Sequence, residues 1–186
     1  MTLPADPDLQ RSTRVLIIGS GFAGIGMAIK LRARGITDLV ILERAADLGG
    51  TWRDNRYPGC ACDVESTLYS FSFAPNPDWS RTFSPQPEIQ AYLHRVAAEH
   101  GITPLVRFNE EVTGARWDEA AAEWRVTSTS GAWRAQSVVM ANGALSDPIM
   151  PPLPGLESFA GPAFHTAHWD PSLSFEGKRV AIIGTG

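Results

Sequence analysis

Arg14–Val15–Leu16–Ile17–Ile18–Gly19–Ser20–Gly21–Phe22–Ala23–Gly24 is the stretch that decides how this chain folds. An apolar, β-branched run that stops at glycine has the character of a strand buried in a parallel sheet. The glycines that follow complete a G-x-G-x-x-G, and each has a physical task. Gly19 permits the tight turn from strand to helix, Gly21 lets backbone approach a pyrophosphate, and Gly24 lets helix and strand pack closely. The pattern predicts a helix over about Phe22 to Arg34, with Ile25, Ala28, Ile29 and Leu31 facing inward and Lys30, Arg32 and Arg34 outward. Its first N–H groups and positive dipole end would face the phosphates, and Gly35 would end it. Gly19, Gly21, Phe22, Ala23 and Gly24 are therefore the candidate phosphate cradle.

Leu39–Val40–Ile41–Leu42 reads as the next strand and closes on Glu43, which follows Gly21 by 22 residues. That is the place of the acidic ribose ligand in a dinucleotide-binding βαβ unit. A carboxylate there accepts both ribose hydroxyls and repels a 2′-phosphate, which suits FAD or NAD rather than NADP.

The bulk properties narrow the field. The chain has 186 residues, 44% hydrophobic and 19% charged, with a net charge of −4. An acidic balance argues against a nucleic-acid partner, which needs a basic face. No run of about eighteen apolar residues is present to span a membrane. Met1 to Thr13 is polar and reads as a loose leader without the apolar core of a signal peptide. Cys60 and Cys62, the two cysteines, are too close for an unstrained disulfide and lack the neighbours of a zinc site. Reduced cysteines fit a cytoplasmic protein, with no metal expected.

Gly49–Gly50–Thr51–Trp52–Arg53–Asp54–Asn55–Arg56–Tyr57–Pro58–Gly59–Cys60–Ala61–Cys62–Asp63 separates flavin from nicotinamide. A double glycine makes poor helix or strand and suits backbone laid along a cofactor. The stretch resembles the signature G-G-x-W-x4-Y-P-G-x3-D of class B flavin-dependent monooxygenases of the Baeyer–Villiger type. By that resemblance Gly50, Thr51, Trp52, Arg53 and Asp54 line FAD, Asp63 sits beside the isoalloxazine with Tyr69 further along, and Val112 touches the adenine. Ala61, Cys62 and Asp63 fall on the NADP side. Asp63 is the candidate catalytic residue, pairing with an arginine that steadies a developing oxyanion. From spacing alone, Asp63 would instead anchor the Gly59–Asp63 loop through backbone N–H groups.

Pro85 to His100 contains a helix whose Ile89, Tyr92, Leu93, Val96 and Ala97 form an apolar stripe, with Gly101 ending it. His94 and His100 read as solvated or structural. From Leu105 to Met140 the pattern turns to strands, with a hairpin between Trp117 and Trp124, a turn at Ser130–Gly131 and a buried strand over Ser137 to Ala141. Asn142–Gly143 reads as a return to the cofactor, and Asp147 to Gly155 as a Pro-rich connector.

Phe159–Ala160–Gly161–Pro162–Ala163–Phe164–His165–Thr166–Ala167–His168–Trp169–Asp170 carries a second family signature, F-x-G-x3-H-x3-W-D. Here the resemblance makes the segment a linker between dinucleotide domains, His165 a conformational hinge residue, and Trp169 the mark that separates Baeyer–Villiger enzymes from S- and N-oxygenating relatives. Finally, Arg179–Val180–Ala181–Ile182–Ile183–Gly184–Thr185–Gly186 repeats Arg14 to Gly21 almost residue for residue.

The expected fold is α/β: a Rossmann-like FAD-binding domain over 14–147 with a parallel sheet, helices and an inserted β-meander. A linker over 148–178 and the first strand of a truncated NADP-binding domain over 179–186 would follow. The implied activity uses FAD and NADPH, with O2 and a small ketone as partners, and forms an ester or lactone through a C4a-peroxyflavin. This chain would be the FAD-binding portion, inactive alone. The alternatives are an S- or N-oxygenating flavin monooxygenase and a non-catalytic flavin-binding remnant.

Overall fold

Val15 to Ile18 runs parallel to Leu39 to Leu42, in register from Val15 opposite Leu39 to Ile18 opposite Leu42. The computed structural model describes residues 11–184, so Met1–Gln10 and the final Thr185–Gly186 lie outside it. Its elements are β1 (Arg11–Ile18), α1 (Phe22–Ala33), β2 (Leu39–Leu42), α2 (Thr51–Asp54), α3 (Gln86–Glu99), β3 (Val106–Arg107), β4 (Val112–Asp118), β5 (Glu123–Ser128) and β6 (Gly131–Met140). One six-stranded sheet runs in the order β3-β2-β1-β6-β5-β4. Its β3, β2, β1 and β6 are parallel, while β4, β5 and β6 form an antiparallel meander. The long β6 belongs to both parts, so the expected α/β sheet with helices and a meander is a single mixed sheet.

Alternation along the strands makes two cores. Val15, Ile17, Leu39 and Ile41 pack with Ile25, Ala28 and Ile29 of α1 and Ile89, Leu93 and Val96 of α3. Leu16, Val40 and Leu42 point the other way, against Val126, Trp133 and Ala135 of the meander. Burial on both faces explains why these strands are apolar throughout. The Trp117–Trp124 hairpin forms as expected, with the two indoles paired across the strands and their rings 5.7 Å apart.

Three segments differ from the sequence reading. The first strand starts at Arg11, because Arg11, Ser12 and Thr13 pair with Trp133, Arg134 and Ala135 of β6. Asp38 secures this end by accepting from the Thr13 hydroxyl and the Arg14 N–H, each at 3.0 Å. A ladder needs backbone partners, not apolar side chains, so polarity concealed these residues. In Ser137 to Ala141, read as buried, only Ala141 is buried; Val138 and Val139 are half-buried and Met140 is 67% exposed. Of Arg179 to Gly186, read as the first strand of a second domain, Thr185 and Gly186 lie outside the described residues, and Arg179 to Gly184 pairs with nothing among them. Its Ile182 is 82% exposed, since an apolar run without a neighbouring strand has no ladder to join.

Candidate functional site

The glycine turn sits at the C-terminal ends of β1 and β2, the edge at which open α/β sheets bind ligands. Gly19 turns the chain with φ +99°, and a Cβ there would fall 2.7 Å from the Ala141 carbonyl oxygen. Gly24 is more constrained, for its Cβ would lie 1.9 Å from the Gly19 oxygen. Gly21 is different: its Cβ would meet only the Gly50 Cα, at 3.8 Å. Gly21 is also the N-cap of α1, with no side-chain cap and no acidic residue in the first turn. The first N–H groups of α1, from Phe22 and Ala23, have no hydrogen-bond partner among the described residues and stand at a positive helix end.

Glu43, at the end of β2, is only 4% exposed and already holds four donors. Its Oε2 accepts from the Ser20 N–H at 3.0 Å and the Ser20 hydroxyl at 2.7 Å. Its Oε1 accepts from the Ala45 N–H at 3.0 Å and from Arg53 Nη1 at 2.9 Å. Burial pushes the carboxyl up, but these hydrogen bonds and the Arg53 charge outweigh it and hold Glu43 below the usual carboxylate range. Arg53 also donates to the Asp47 carbonyl at 2.8 Å and, through Nε and Nη2, to both oxygens of Asp54.

The Gly49–Asp54 loop lies directly against the glycine turn. Gly49 N–H donates to the Ser20 carbonyl at 3.0 Å. Helix α3 fixes the loop from behind with a polar row at four-residue spacing: Gln86 donates to the Trp52 carbonyl, Gln90 to the Leu48 carbonyl at 2.8 Å, and His94 meets Asp47 at 3.1 Å. Trp52 is buried, its indole N–H donating to the Tyr69 hydroxyl at 2.9 Å, and Phe22 packs edge-on to Tyr69 at 5.1 Å. Thr51 opens α2 and is exposed.

Ala61 bridges to Pro85, and Cys62 is buried with its N–H on the Ser84 carbonyl. Asp63 is exposed, and among the described residues no hydrogen bond reaches its carboxylate. The loop-anchoring role that spacing alone allows is therefore not taken up. Both cysteines are free and buried; burial pushes the Cys60 thiol up, away from a reactive thiolate. Val112 packs half-buried on the Leu16–Leu42 core. The segment before it is tied to the end of β2, with Glu110 N–H donating to the Glu43 carbonyl at 2.9 Å.

After Ala141 the chain passes beside Gly19 and reaches Arg44, which pairs with Asp147 at 2.6 Å and donates to the Ser146 carbonyl. Arg44, Ala45, Arg53, Asp54 and Arg56 form one wall of a cleft of about 740 Å³, with Leu145 to Pro148 and Ala167 to Trp169 opposite. His165 Nδ1 accepts from the Ala167 N–H at 3.1 Å and caps a short turn. Trp169 packs against Phe164 and Phe175, with centroids 5.5 and 5.3 Å away. Thus Gly19–Gly24, Glu43, Gly50–Asp54 and Tyr69 gather at one edge, and Trp169 lines the cleft beside them.

Several contacts escaped sequence reasoning: Ser20 and Arg53 as partners of Glu43, Arg44 with Asp147, and the Gln86, Gln90, His94 row. Only the last had a local signal, its four-residue spacing on a helix. No helix among the described residues is long and apolar enough to cross a membrane, and no group of three or more His, Cys, Asp or Glu among them is placed to hold a metal ion.

Comparison with known proteins fits this geometry. A family described as pyridine nucleotide-disulphide oxidoreductase matches residues 16–186. A Baeyer-Villiger monooxygenase of Streptomyces coelicolor is 56% identical over 173 residues, which is 93% of this chain and 33% of that protein. Cyclohexanone monooxygenase with bound epsilon-caprolactone superposes with a TM-score of 0.85 at 41% identity, over 95% of this chain and 35% of that one. OTEMO, solved with FAD and NADP, gives a TM-score of 0.85 at 35% identity, over 94% and 35%. The chain thus spans about a third of the length of the relatives it matches. An uncapped glycine turn at the end of a parallel sheet, the double-glycine loop seated on it, and similarity along nearly the whole chain place this protein in the pyridine nucleotide-disulphide oxidoreductase family, with Baeyer–Villiger monooxygenases among the relatives it resembles.

Proposed function

We propose that this chain holds FAD along the C-terminal ends of β1 and β2 for an NADPH-dependent monooxygenase that inserts one oxygen atom beside a ketone carbonyl. The observation that carries the reading is Gly21, where backbone lies open at an uncapped helix N-terminus. A diphosphate fits there: the N–H groups of Phe22 and Ala23 would donate to it, and the missing Cβ of Gly21 leaves the approach clear. Glu43 would take the ribose diol and Val112 the adenine. Gly50 to Asp54 and Tyr69 would line the flavin, with Ala61, Cys62 and Asp63 on the side of the nicotinamide.

Bound FAD supplies the redox chemistry, passing reducing equivalents from NADPH to O2 and an oxygen atom to the substrate. The chain's own residues bind and orient. Buried Trp52 and half-buried Tyr69 exclude water from one side, and Asp63, without a hydrogen bond to its carboxylate among the described residues, is available to hold the cation that steadies a developing oxyanion. Residues up to Asp147 serve as the FAD-binding domain, and 148–178 as a linker in which His165 and Trp169 set the geometry. Residues 179–186 begin a second dinucleotide fold. These 186 residues alone would bind FAD without oxidising NADPH at an enzymatic rate, about 1 per second.

The test joins this domain to the additional length found in its relatives and supplies NADPH, O2 and either a ketone or a sulfide. Ester or lactone formation, lost in Asp63→Ala with FAD still bound, is the expected result. Oxygenation of the sulfide alone would assign the chain to S- or N-oxygenating enzymes. No NADPH oxidation would make it a flavin-binding module without catalysis.

A further inference from the structure

Glu43 cannot accept a ribose hydroxyl as it stands. A carboxylate offers about four acceptor positions, and Glu43 has four donors on it at 2.7–3.0 Å. Two of these are backbone N–H groups of Ser20 and Ala45, fixed by the turns around them. The third is the hydroxyl of Ser20, which is wholly enclosed. The fourth, Arg53 Nη1, belongs to a side chain that lines the open cleft. Arg53 also has other partners, for Asp54 holds it through Nε and Nη2 and the Asp47 carbonyl accepts a second bond from Nη1.

We propose that Arg53 is a positioning residue that occupies Glu43 until a ribose diol displaces its Nη1. This rests on the reading of the glycine turn and Glu43 as the dinucleotide site. The exchange strands no buried group. Glu43 keeps three donors and gains a hydroxyl, while Arg53 keeps its bidentate carboxylate and stays paired. Without the exchange, one of two outcomes must follow: the ribose misses Glu43, or a fixed turn around Ser20 or Ala45 has to break.

The experiment compares FAD with FMN, which shares the flavin and a phosphate but lacks the adenosine ribose. Dissociation constants for both are measured by flavin fluorescence with the 186-residue chain and with Arg53→Met. Removing the competing donor raises the ratio Kd(FMN)/Kd(FAD) about tenfold, the worth of one hydrogen bond to a charged group. Any general loosening of the loop weakens both flavins alike and cancels in the ratio. Arg53→Lys, which keeps a cation but cannot reach Glu43 and Asp54 together, shifts the ratio the same way by about threefold and serves should the Met variant not fold. An unchanged ratio would overturn the proposal and leave Arg53 a brace. A lower ratio would overturn it too, making Arg53 a direct ligand of the adenosine half. If the unaltered chain binds neither flavin, the FAD reading itself fails and the proposal with it.

Discussion

Gly24 lies so close to Gly19 that a methyl group built on it would stand 1.9 Å from the Gly19 carbonyl oxygen. Strand β1 and helix α1 meet there backbone to backbone, which sets where the N-terminus of the helix points. Gly24→Ala must push the helix off the turn. The expected loss is about 1–3 kcal/mol of stability, the usual cost of overpacking, together with FAD binding. Urea unfolding checks the first and flavin titration the second. Gly26→Ala should cost less, because its Cβ would meet the ring of Phe71, a side chain that can give way.

Glu43 joins the turn, β2 and the Arg53 loop through one buried carboxylate. Glu43→Ala leaves the Ser20 and Ala45 N–H groups without their acceptor, while Arg53 keeps Asp54 and the Asp47 carbonyl. Leaving a buried donor unsatisfied costs about 1–3 kcal/mol. Unfolding in urea should show a lower midpoint with an unchanged slope.

Acid should weaken the fold through two carboxylates. At Glu110, as at Glu43, burial raises the carboxyl, but hydrogen bonds from Ser130, Trp133 and Ser128 and the Arg11 charge outweigh it and hold the group below the usual range. A depressed folded pKa gives stability that is complete above the unfolded value, about 4.3, and lost as pH falls through the folded value. Thermal melts should therefore drop steeply below about pH 4.3. Glu43→Gln and Glu110→Gln should each flatten that drop.

The local parts of the structure were legible in the sequence, and the reason is physical. Glycine turns, the strand ending on Glu43 and the apolar stripe of α3 depend on neighbours within a few residues, so spacing reveals them. The Trp117–Trp124 hairpin is equally local. Arg11 to Thr13 were not legible, because their strand character comes from β6, more than a hundred residues away. Ser20 read as a neutral position in the motif, yet its hydroxyl and N–H both serve Glu43. Arg53 was expected along a flavin, but its pairing with Glu43 required the fold to bring α2 against β2. At Arg179 to Ile183 the apolar, β-branched composition has the character of a strand, but a ladder needs a neighbour and no strand among the described residues pairs with it.

FAD titration of the 186-residue chain beside its Gly21→Ala variant tests the central claim most directly. A Cβ on Gly21 would find no atom nearer than 3.8 Å among the described residues, its chain neighbours aside, and the backbone φ of −79° suits alanine, so the variant should fold and melt like the parent. The same methyl group would occupy the approach of a diphosphate to the N-terminus of α1. The expected result is flavin binding by the parent, with absorbance near about 450 nm, and at least a tenfold loss of affinity in the variant, roughly 1.4 kcal/mol. Equal affinity in the two chains, or no flavin bound by the parent, would contradict the assignment of this turn as the FAD cradle.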